Sequence, residues 1–239
     1  MYASVITFAR GLFAAQGLRF TVTGTEHVPA TGGAVMTINH TGYLDFAFAG
    51  LAARPAGRLV RFMAKEQVFR HPVSGPLMRG MHHIPVDREA GAASYRAAVA
   101  ALKAGEIVGV FPEATISRSF ELKDFKNGAV RMAAAAGVPL LPTVIWGSQR
   151  IWTKGLPRRL GRTGTPVLIS VGEPIPVGRR DDADLVLRTL RKSMTELLHA
   201  AQDAYPPLTG PELRFLPARL GGTAPTPEEA ERLDAAGTE

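Results

Sequence analysis

Short apolar runs alternate with alanine-rich stretches along most of this chain, and this alternation limits the fold more than any other feature. The runs rich in Val, Ile, Leu and Phe predict β-strands, and the stretches between them have the composition of helices. Strands that alternate with helices build a mostly parallel sheet. We therefore predict an α/β fold: a single domain with a mixed, mostly parallel sheet of about seven strands flanked by helices.

The predicted elements follow from these runs and from the residues that end them. The strands are placed at Phe20–Thr23, Ala34–Ile38, Leu59–Met63, His82–Val86, Ile107–Phe111, Leu140–Ile145 and Val167–Val171. The helices are placed at Leu44–Ala53, Gly91–Ala104, Gly128–Ala136 and Asp182–Ala204. Gly105 and Gly137 stand where a helix commonly ends on a glycine.

Both ends of the chain differ from this central domain, which we place at residues 21–204. Residues 1–20 are expected to form an amphipathic helix, because Val5, Phe8 and Leu12 recur at helical spacing. It either packs on the domain or lies in a membrane interface, and without a basic leading segment it does not read as a signal peptide. Residues 205–239 are rich in Pro and Gly, lose periodicity, and are expected to form a wrapping or flexible tail.

The segment "NHTGYLDF" (residues 39–46) places a histidine and an aspartate five residues apart between two apolar runs. In a continuous helix these side chains would point about 140° apart. If the chain instead leaves a strand at Ile38 and enters a helix at Leu44, Asp45 can reach back to one nitrogen of His40. The other nitrogen would then serve as a general base on a hydroxyl that the substrate brings.

The spacing alone fits a structural hydrogen-bonded pair as well as it fits catalysis. It also recurs at His82 and Asp87, but there a predicted strand with odd spacing places the two side chains on opposite faces. The ends of other strands favour the first pair, since Arg88 follows one predicted strand and Glu113 another. Ligands bind at the carboxyl ends of strands in such sheets, so His40, Arg88 and Glu113 are expected to meet.

The charge and the composition limit the kinds of partner that the protein is expected to bind. The net charge is +7, and no acidic residue lies between Asp124 and Glu173, where seven Lys and Arg residues fall. This region is either a solvated basic surface or a site for an anionic partner such as a lipid headgroup. Nucleic acid is not expected, because a reading helix and interleaved aromatics are lacking. The chain has no cysteine, which removes thiol nucleophiles and zinc-thiolate sites.

As a set, these blocks resemble the lysophosphatidate (1-acylglycerol-3-phosphate) acyltransferase family, whose members carry a His-x4-Asp motif. The resemblance covers roughly residues 23–178. It rests on His40 and Asp45, on Arg88, on Phe111, Pro112, Glu113, Thr115 and Ser117, and on Val138, Pro139 and Pro142. It implies that His40 deprotonates an acceptor hydroxyl, which attacks the acyl thioester of coenzyme A or of acyl carrier protein.

The resemblance also implies the substrate-binding residues. Arg88 and Glu113 would hold the glycerol phosphate, with Thr115 and Ser117 in the same block. The family typically has Glu-Gly-Thr-Arg-Ser where this chain has Ala114 and Ile116 in place of the glycine and arginine. Arg118, Lys123 or Lys126 is expected to supply the missing charge. Between the motifs, Phe46, Phe62, Met63 and Phe69 are candidates to line an acyl channel.

We therefore expect a peripheral enzyme on the cytoplasmic face of a bacterial membrane. It would transfer an acyl group to the free hydroxyl, expected at position 2, of lysophosphatidate during phospholipid synthesis. Its partners would be membrane lipids, an acyl donor and a lysophosphatidate-like acceptor, and it would need neither a metal nor another cofactor. Two alternatives remain: the same chemistry on a glycolipid or sugar acceptor, suggested by Ile116, and a non-enzymatic peripheral lipid-binding module.

Overall fold

The sheet is the frame of the molecule. The computed structural model describes residues 2–87 and 91–237, and these form a seven-stranded sheet in the order β1-β7-β6-β2-β5-β3-β4. The strands are β1 (Arg19–Thr23), β2 (Ala34–Ile38), β3 (Val60–Lys65), β4 (Ile84–Val86), β5 (Ile107–Val110), β6 (Leu140–Trp146) and β7 (Pro166–Val171). Neighbouring strands are parallel except β6 and β7. The predicted mixed, mostly parallel sheet is confirmed.

Helices cover both faces of the sheet. In chain order they are α1 (Tyr2–Ala15), α2 (Asp45–Ala52), α3 (Glu66–Arg70), α4 (Ser74–Gly80), α5 (Gly91–Lys103), α6 (Gly128–Ala136), α7 (Ala183–Asp203) and α8 (Pro227–Ala235). One apolar core lies between the sheet and α5, α6 and α7, and a second lies under α1 and α2. Side chains alternate between them along β2, where Val35 joins the first core and Met36 the second.

The sequence prediction missed three helices and misplaced the start of β4. Helices α3 and α4 lie between β3 and β4, where the mixture of Pro, Gly and apolar residues hid their short periodicity. His82 was predicted to begin a strand, but it has φ 57° in the turn after α4, so β4 starts only at Ile84. Helix α8 was also missed, although Thr226, Pro227 and Glu229 form a capping box with proline in the first turn.

The N-terminal helix combines features of both interpretations. Near its C-terminal end, Phe13 is buried and packs against Phe20 and Phe48, with ring centroids 5.6 and 5.1 Å away. Phe8 and Leu12 instead stay 74% and 48% exposed. One side of α1 is therefore anchored in the second core while another presents apolar side chains outward. Within the described residues, no helix has both the length and the apolar character to cross a bilayer.

The C-terminal segment packs on the domain and partly neutralises its basic region. Tyr205 and Phe215 are buried, and the Tyr205 hydroxyl donates to the carbonyl of Pro166. Glu212 forms ion pairs with Arg150 and Arg159. The acid-free stretch of the sequence thus meets acidic residues that come from the end of the chain.

Candidate active site

The candidate site begins where β2 ends. The side chain of Asn39 is fully buried and exchanges two hydrogen bonds with the backbone of Ile145 in β6, at 3.0 and 2.7 Å. This pairing fixes the end of β2 against its neighbour and sets the direction of the next residue, His40. The site therefore stands at the carboxyl ends of β2, β5 and β6, where an α/β sheet usually binds ligands.

His40 and Asp45 lie in direct contact. The Nδ1 atom of His40 is 3.1 Å from Oδ2 of Asp45, the first residue of α2. The same oxygen accepts the backbone N–H groups of Thr41 and Gly42, both at 2.8 Å. The hydroxyl of Ser148, just after β6, donates to the other oxygen of Asp45. These donors stabilise a fully buried carboxylate and hold it in one position.

These contacts use the backbone amides at the start of the helix. Amides in such a place can stabilise the oxyanion of an acyl-transfer intermediate. However, those of Thr41 and Gly42 bind Asp45, and that of Tyr43 donates to the carbonyl of Trp152. The amides of Thr41 and Gly42 therefore position the carboxylate, and that of Tyr43 ties the loop to Trp152.

The outer side of His40 remains accessible. Its ring stacks on Phe111 with centroids 4.1 Å apart, and its side chain is 20% exposed. With Asp45 accepting from Nδ1, the neutral tautomer carries its proton on that atom, which leaves the Nε2 lone pair as an acceptor. This arrangement can take a proton from a hydroxyl and stabilise the imidazolium that results.

Glu113 contacts the His40 loop through one carboxylate oxygen and Lys123 through the other. One of its oxygens accepts the N–H of His40 at 2.8 Å, and the other accepts that of Lys123 at 3.0 Å. Complete burial raises the pKa of this carboxyl to about 8, although the two backbone donors and the nearby Lys123 oppose the shift. Glu113 thus joins the His40 loop to the segment that follows β5.

The residues around Glu113 form a tight turn about the His40 loop. The N–H of Ser117 donates to the carbonyl of His40 at 2.7 Å, and the buried Ser117 hydroxyl donates to the carbonyl of Glu121. Thr115 is half-buried nearby. Ala114 has φ 61°, a left-handed conformation that suits glycine far better than alanine. Ile116 is buried, so an apolar side chain fills the position of the family's arginine.

The predicted charged residues are divided among three places. Arg118 and Lys123 contact Asp234 of α8, at 3.1 and 2.7 Å, and Lys154 joins them at 2.6 Å. Lys126 is exposed, and its backbone N–H donates to the carbonyl of Pro112. Arg88 lies outside the described residues.

The four acyl-channel candidates are not equivalent. Phe46 is 37% exposed beside Asp45 and meets the buried ring of Phe62 edge-on at 5.9 Å. Met63 is half-buried and packs against the first core. Phe69 is buried in a separate small cluster with Met78 and Met81. Among these candidates, Phe46 is the exposed one; it directly follows Asp45 in the chain and packs on the buried Phe62.

Three features of the site were not predicted. Ser148 lies three residues after the end of a predicted strand, so the rule that strand ends carry function could have identified it. Tyr43 and Trp152 pack together at 4.8 Å, with the guanidinium of Arg158 4.4 Å from the Trp152 ring. Nothing in the sequence pattern linked Lys154 or Asp234 to the site, because they are far from His40 along the chain.

Comparison with known proteins identifies the family. Residues 19–146 match the model of the Acyltransferase family. The chain is 34% identical over 175 residues to the 1-acyl-sn-glycerol-3-phosphate acyltransferase of Bacillus subtilis, covering 73% of this chain and 81% of that protein. It is 27% identical over 165 residues to the enzyme of the same name from Borreliella burgdorferi, covering 67% and 63% respectively.

A solved structure shares the fold. The crystal structure of the 1-acyl-sn-glycerophosphate (LPA) acyltransferase PlsC from Thermotoga maritima superposes with a TM-score of 0.70 at 21% identity, covering 86% of this chain and 81% of that one. This protein therefore belongs to the acyltransferase family that contains the 1-acyl-sn-glycerol-3-phosphate acyltransferases. The resemblance inferred from the motifs is confirmed.

Proposed function

We propose that this protein is a 1-acylglycerol-3-phosphate O-acyltransferase that transfers a fatty acyl group from a thioester donor to the free hydroxyl of lysophosphatidate, at position 2. His40 is the general base and Asp45 orients it. The observation that carries the proposal is the hydrogen bond from Nδ1 of His40 to a buried, multiply bonded Asp45, at 3.1 Å. The names of the family relatives support the reaction.

The proposed steps balance without a covalent intermediate on the protein. Nε2 of His40 takes the proton of the acceptor hydroxyl as its oxygen attacks the thioester carbonyl carbon. The tetrahedral intermediate collapses, the carbon–sulfur bond breaks, and the imidazolium returns its proton to the leaving thiolate. The products are the new ester and a free thiol. Asp45 keeps the imidazole in the required tautomer and stabilises its charged form.

The acceptor's phosphate needs cations near His40. Arg118 is the nearest predicted substitute for the arginine that Ile116 replaces, since it follows Ser117, whose N–H donates to the His40 carbonyl. We assign the phosphate to Arg118, with Arg88 and Lys126 as further candidates from the motif pattern. Thr115, Ser117 and Glu113 shape the turn that holds these groups, and Phe46 and Phe62 begin the acyl path.

One observation favours a second candidate function. The buried Ile116 removes the charge that the family typically supplies at this position. An acceptor without a phosphate, such as a glycolipid or a sugar, would not require that charge. The reaction would otherwise proceed in the same way at His40.

We also propose that the protein works on the cytoplasmic surface of a membrane. The exposed Phe8 and Leu12 of α1 and the net charge of +7 favour contact with an anionic bilayer. The chemistry assigned to His40 calls for no metal and no cofactor apart from the donor. Coenzyme A and acyl carrier protein are both suitable donors, because each presents the acyl group as a thioester.

Thiol release tests the proposed function directly. Wild type and His40→Ala would be mixed with long-chain acyl-coenzyme A or acyl carrier protein, with lysophosphatidate, monoacylglycerol, a glycolipid acceptor or none. The chain contains no cysteine, so it adds no thiol background. Release that requires both lysophosphatidate and His40, and survives in the exposed-histidine control His82→Ala, supports the proposal. Equal rates in wild type and folded His40→Ala would exclude His40 as the base, and release only with the glycolipid would favour the second function.

A further inference from the structure

Asp234, on the outer helix α8, is gripped by three cations. Its Oδ1 atom lies 3.1 Å from Nε of Arg118 and 2.6 Å from Nζ of Lys154, and its Oδ2 atom lies 2.7 Å from Nζ of Lys123. The side chain of Arg118 is only 7% exposed, and the two lysines are 21% exposed. Both oxygens of one carboxylate thus fill the centre of a largely enclosed cationic pocket.

The pocket borders the His40 loop through three separate contacts. Arg118 follows Ser117, which donates to the His40 carbonyl at 2.7 Å. The N–H of Lys123 donates to Glu113, whose other oxygen accepts the N–H of His40. Lys154 follows Thr153, whose hydroxyl donates to the carbonyl of Thr41 at 2.7 Å. The segments that carry the three cations are therefore fixed to the loop that carries the candidate base.

A phosphate monoester is a stronger ligand for these cations than a carboxylate. Within the part of the chain that the structure describes, Arg118, Lys123 and Lys154 all contact the carboxylate of Asp234. Glu113, which accepts the N–H of Lys123, adds little negative charge at neutral pH because burial raises its pKa to about 8. A phosphate monoester carries about −1.5 to −2 charges and three strong acceptor oxygens. It would satisfy the charges and the donors of Arg118, Lys123 and Lys154 more completely than Asp234 does.

Helix α8 has few buried side chains, so a ligand could displace it from the domain. It is nine residues long, and among its described side chains only Ala230 is buried. The ion pairs of Asp234 help to hold its C-terminal turn on the domain. A short helix with little apolar burial opens at low free-energy cost compared with the core. A competing anion in the pocket would favour that opening by mass action.

We propose that Asp234 is a built-in substitute for the acceptor's phosphate: it occupies the pocket of Arg118, Lys123 and Lys154 in the substrate-free protein and leaves, with α8, when the phosphate binds. This inference rests on the proposed function, because it assumes a phosphorylated acceptor. It assigns Lys123 and Lys154 to phosphate binding and makes α8 a displaceable cover. The phosphates of a coenzyme A donor offer the same chemistry, so the test must distinguish the two sources.

Hydrogen exchange of α8 is the decisive measurement, and it does not depend on turnover. We expect saturating glycerol 3-phosphate to speed exchange in residues 227–235 by about fivefold or more. Residues of β6 serve as the internal control and should not change. Adenosine 3′,5′-bisphosphate, which imitates the coenzyme A end of the donor, should not have this effect. Bound glycerol 3-phosphate with unchanged or slower exchange in α8 would overturn the proposal, as would release of α8 by the bisphosphate alone.

Affinity measurements on variants give an independent test. Asp234→Asn should lower the Kd for glycerol 3-phosphate about tenfold, because the competing charge is gone. Glu231→Gln removes one charge from an exposed position of the same helix and should leave the Kd within about twofold. Adding Lys154→Ala to Asp234→Asn should abolish the gain. An unchanged or weaker affinity in folded Asp234→Asn would contradict the proposal. If this variant does not fold, the hydrogen-exchange experiment on the wild type still tests the proposal.

The two proposals can fail separately. If α8 responds to glycerol 3-phosphate but no thiol is released with lysophosphatidate, the pocket is right and the assigned reaction is wrong. If thiol is released in a His40-dependent manner but α8 remains protected, the reaction is right and the displacement of Asp234 is wrong.

Discussion

Two carboxylates, Asp45 in the candidate site and Asp234 on α8, each accept hydrogen bonds from several donors. Asp45 is fully buried and is bound by neutral groups: two backbone amides, a hydroxyl and the imidazole of His40. Asp234 is 18% exposed and is bound by three cationic side chains. One carboxylate is held mostly by its own loop, whereas the other comes from a distant helix.

This difference indicates two roles: Asp45 is held in one position, whereas Asp234 can be replaced by another anion. The backbone donors of Asp45 lie within four residues of it, so they cannot leave without unfolding the start of α2, and no ligand replaces them. The cations around Asp234 would bind any well-placed anion. A more highly charged anion would bind them more strongly than Asp234 does. Positive partners lower the pKa of Asp234 to about 2, outweighing its partial burial. We therefore expect changes at Asp45 to affect kcat and changes at the cationic pocket to affect KM.

The largest effect is expected for Asp45→Asn. If the amide oxygen keeps the bonds from Thr41, Gly42 and His40, the amide nitrogen faces Ser148 and cannot accept its hydroxyl, and the neutral side chain no longer stabilises the imidazolium. We expect kcat to fall about 10²- to 10⁴-fold, with a smaller change in KM. Steady-state thiol release measures both constants, and circular dichroism checks the fold. A folded variant with a kcat within threefold of wild type would mean that Asp45 is only structural.

The next effect is expected in the pocket itself. Lys154→Ala should raise the KM for lysophosphatidate about tenfold and leave kcat within threefold, because it removes one charge-assisted hydrogen bond to the phosphate. The matched control is Arg159→Ala, which removes a cation of the same basic region that pairs with Glu212 instead. Equal KM changes for the two variants would point to general electrostatic attraction, and the contrast between the two carboxylates would lose its basis.

The sequence revealed the first of these regions far better than the second. The apolar alternation predicted the sheet, and the five-residue spacing placed Asp45 within reach of His40, because strand, turn and helix are consecutive there. The cationic pocket joins residues from three distant segments, and no local pattern specifies which acid they meet. Even α8, whose capping box is visible in Thr226 and Glu229, was read as part of a Pro/Gly-rich tail, since nine residues offer little periodicity.

Glu113 joins the two regions, and its titration should appear in the stability of the protein. Burial raises the pKa of its carboxyl in the folded state to about 8, above the value of 4.5 for an exposed carboxyl. The folded state therefore binds the extra proton between these pH values, and this contribution to stability is full below about pH 4.5 and lost as pH rises to about 8. The free energy of unfolding should fall with pH by up to about 1.4 kcal/mol per unit from this group.

Glu113→Gln tests that link. The amide cannot titrate, so the slope of unfolding free energy between pH 5 and 7.5 should become flatter. It also cannot accept both the His40 and the Lys123 N–H groups, which should cost about 1–3 kcal/mol at pH 5. Urea unfolding at several pH values measures both effects, and the exposed carboxyl variant Glu231→Gln is the control. An identical slope in wild type and Glu113→Gln would show that Glu113 is ionised across this range.

The smallest expected effect comes from Ala114, at the tip of the turn between the two regions. Its φ of 61° strains an alanine but not a glycine, whose greater freedom in the unfolded chain offsets part of the gain. We expect Ala114→Gly to raise the free energy of unfolding by about 0.5–1 kcal/mol in urea titrations. Ala97→Gly, at an exposed position inside α5, should instead lower it by a similar amount, because there glycine brings only the entropic cost. If both substitutions destabilise equally, the turn does not impose the left-handed conformation in solution. If they differ in sign as expected, backbone strain is stored at the residue next to Glu113. The turn that links the region of Asp45 to the pocket of Asp234 is then held in this conformation by its contacts on both sides.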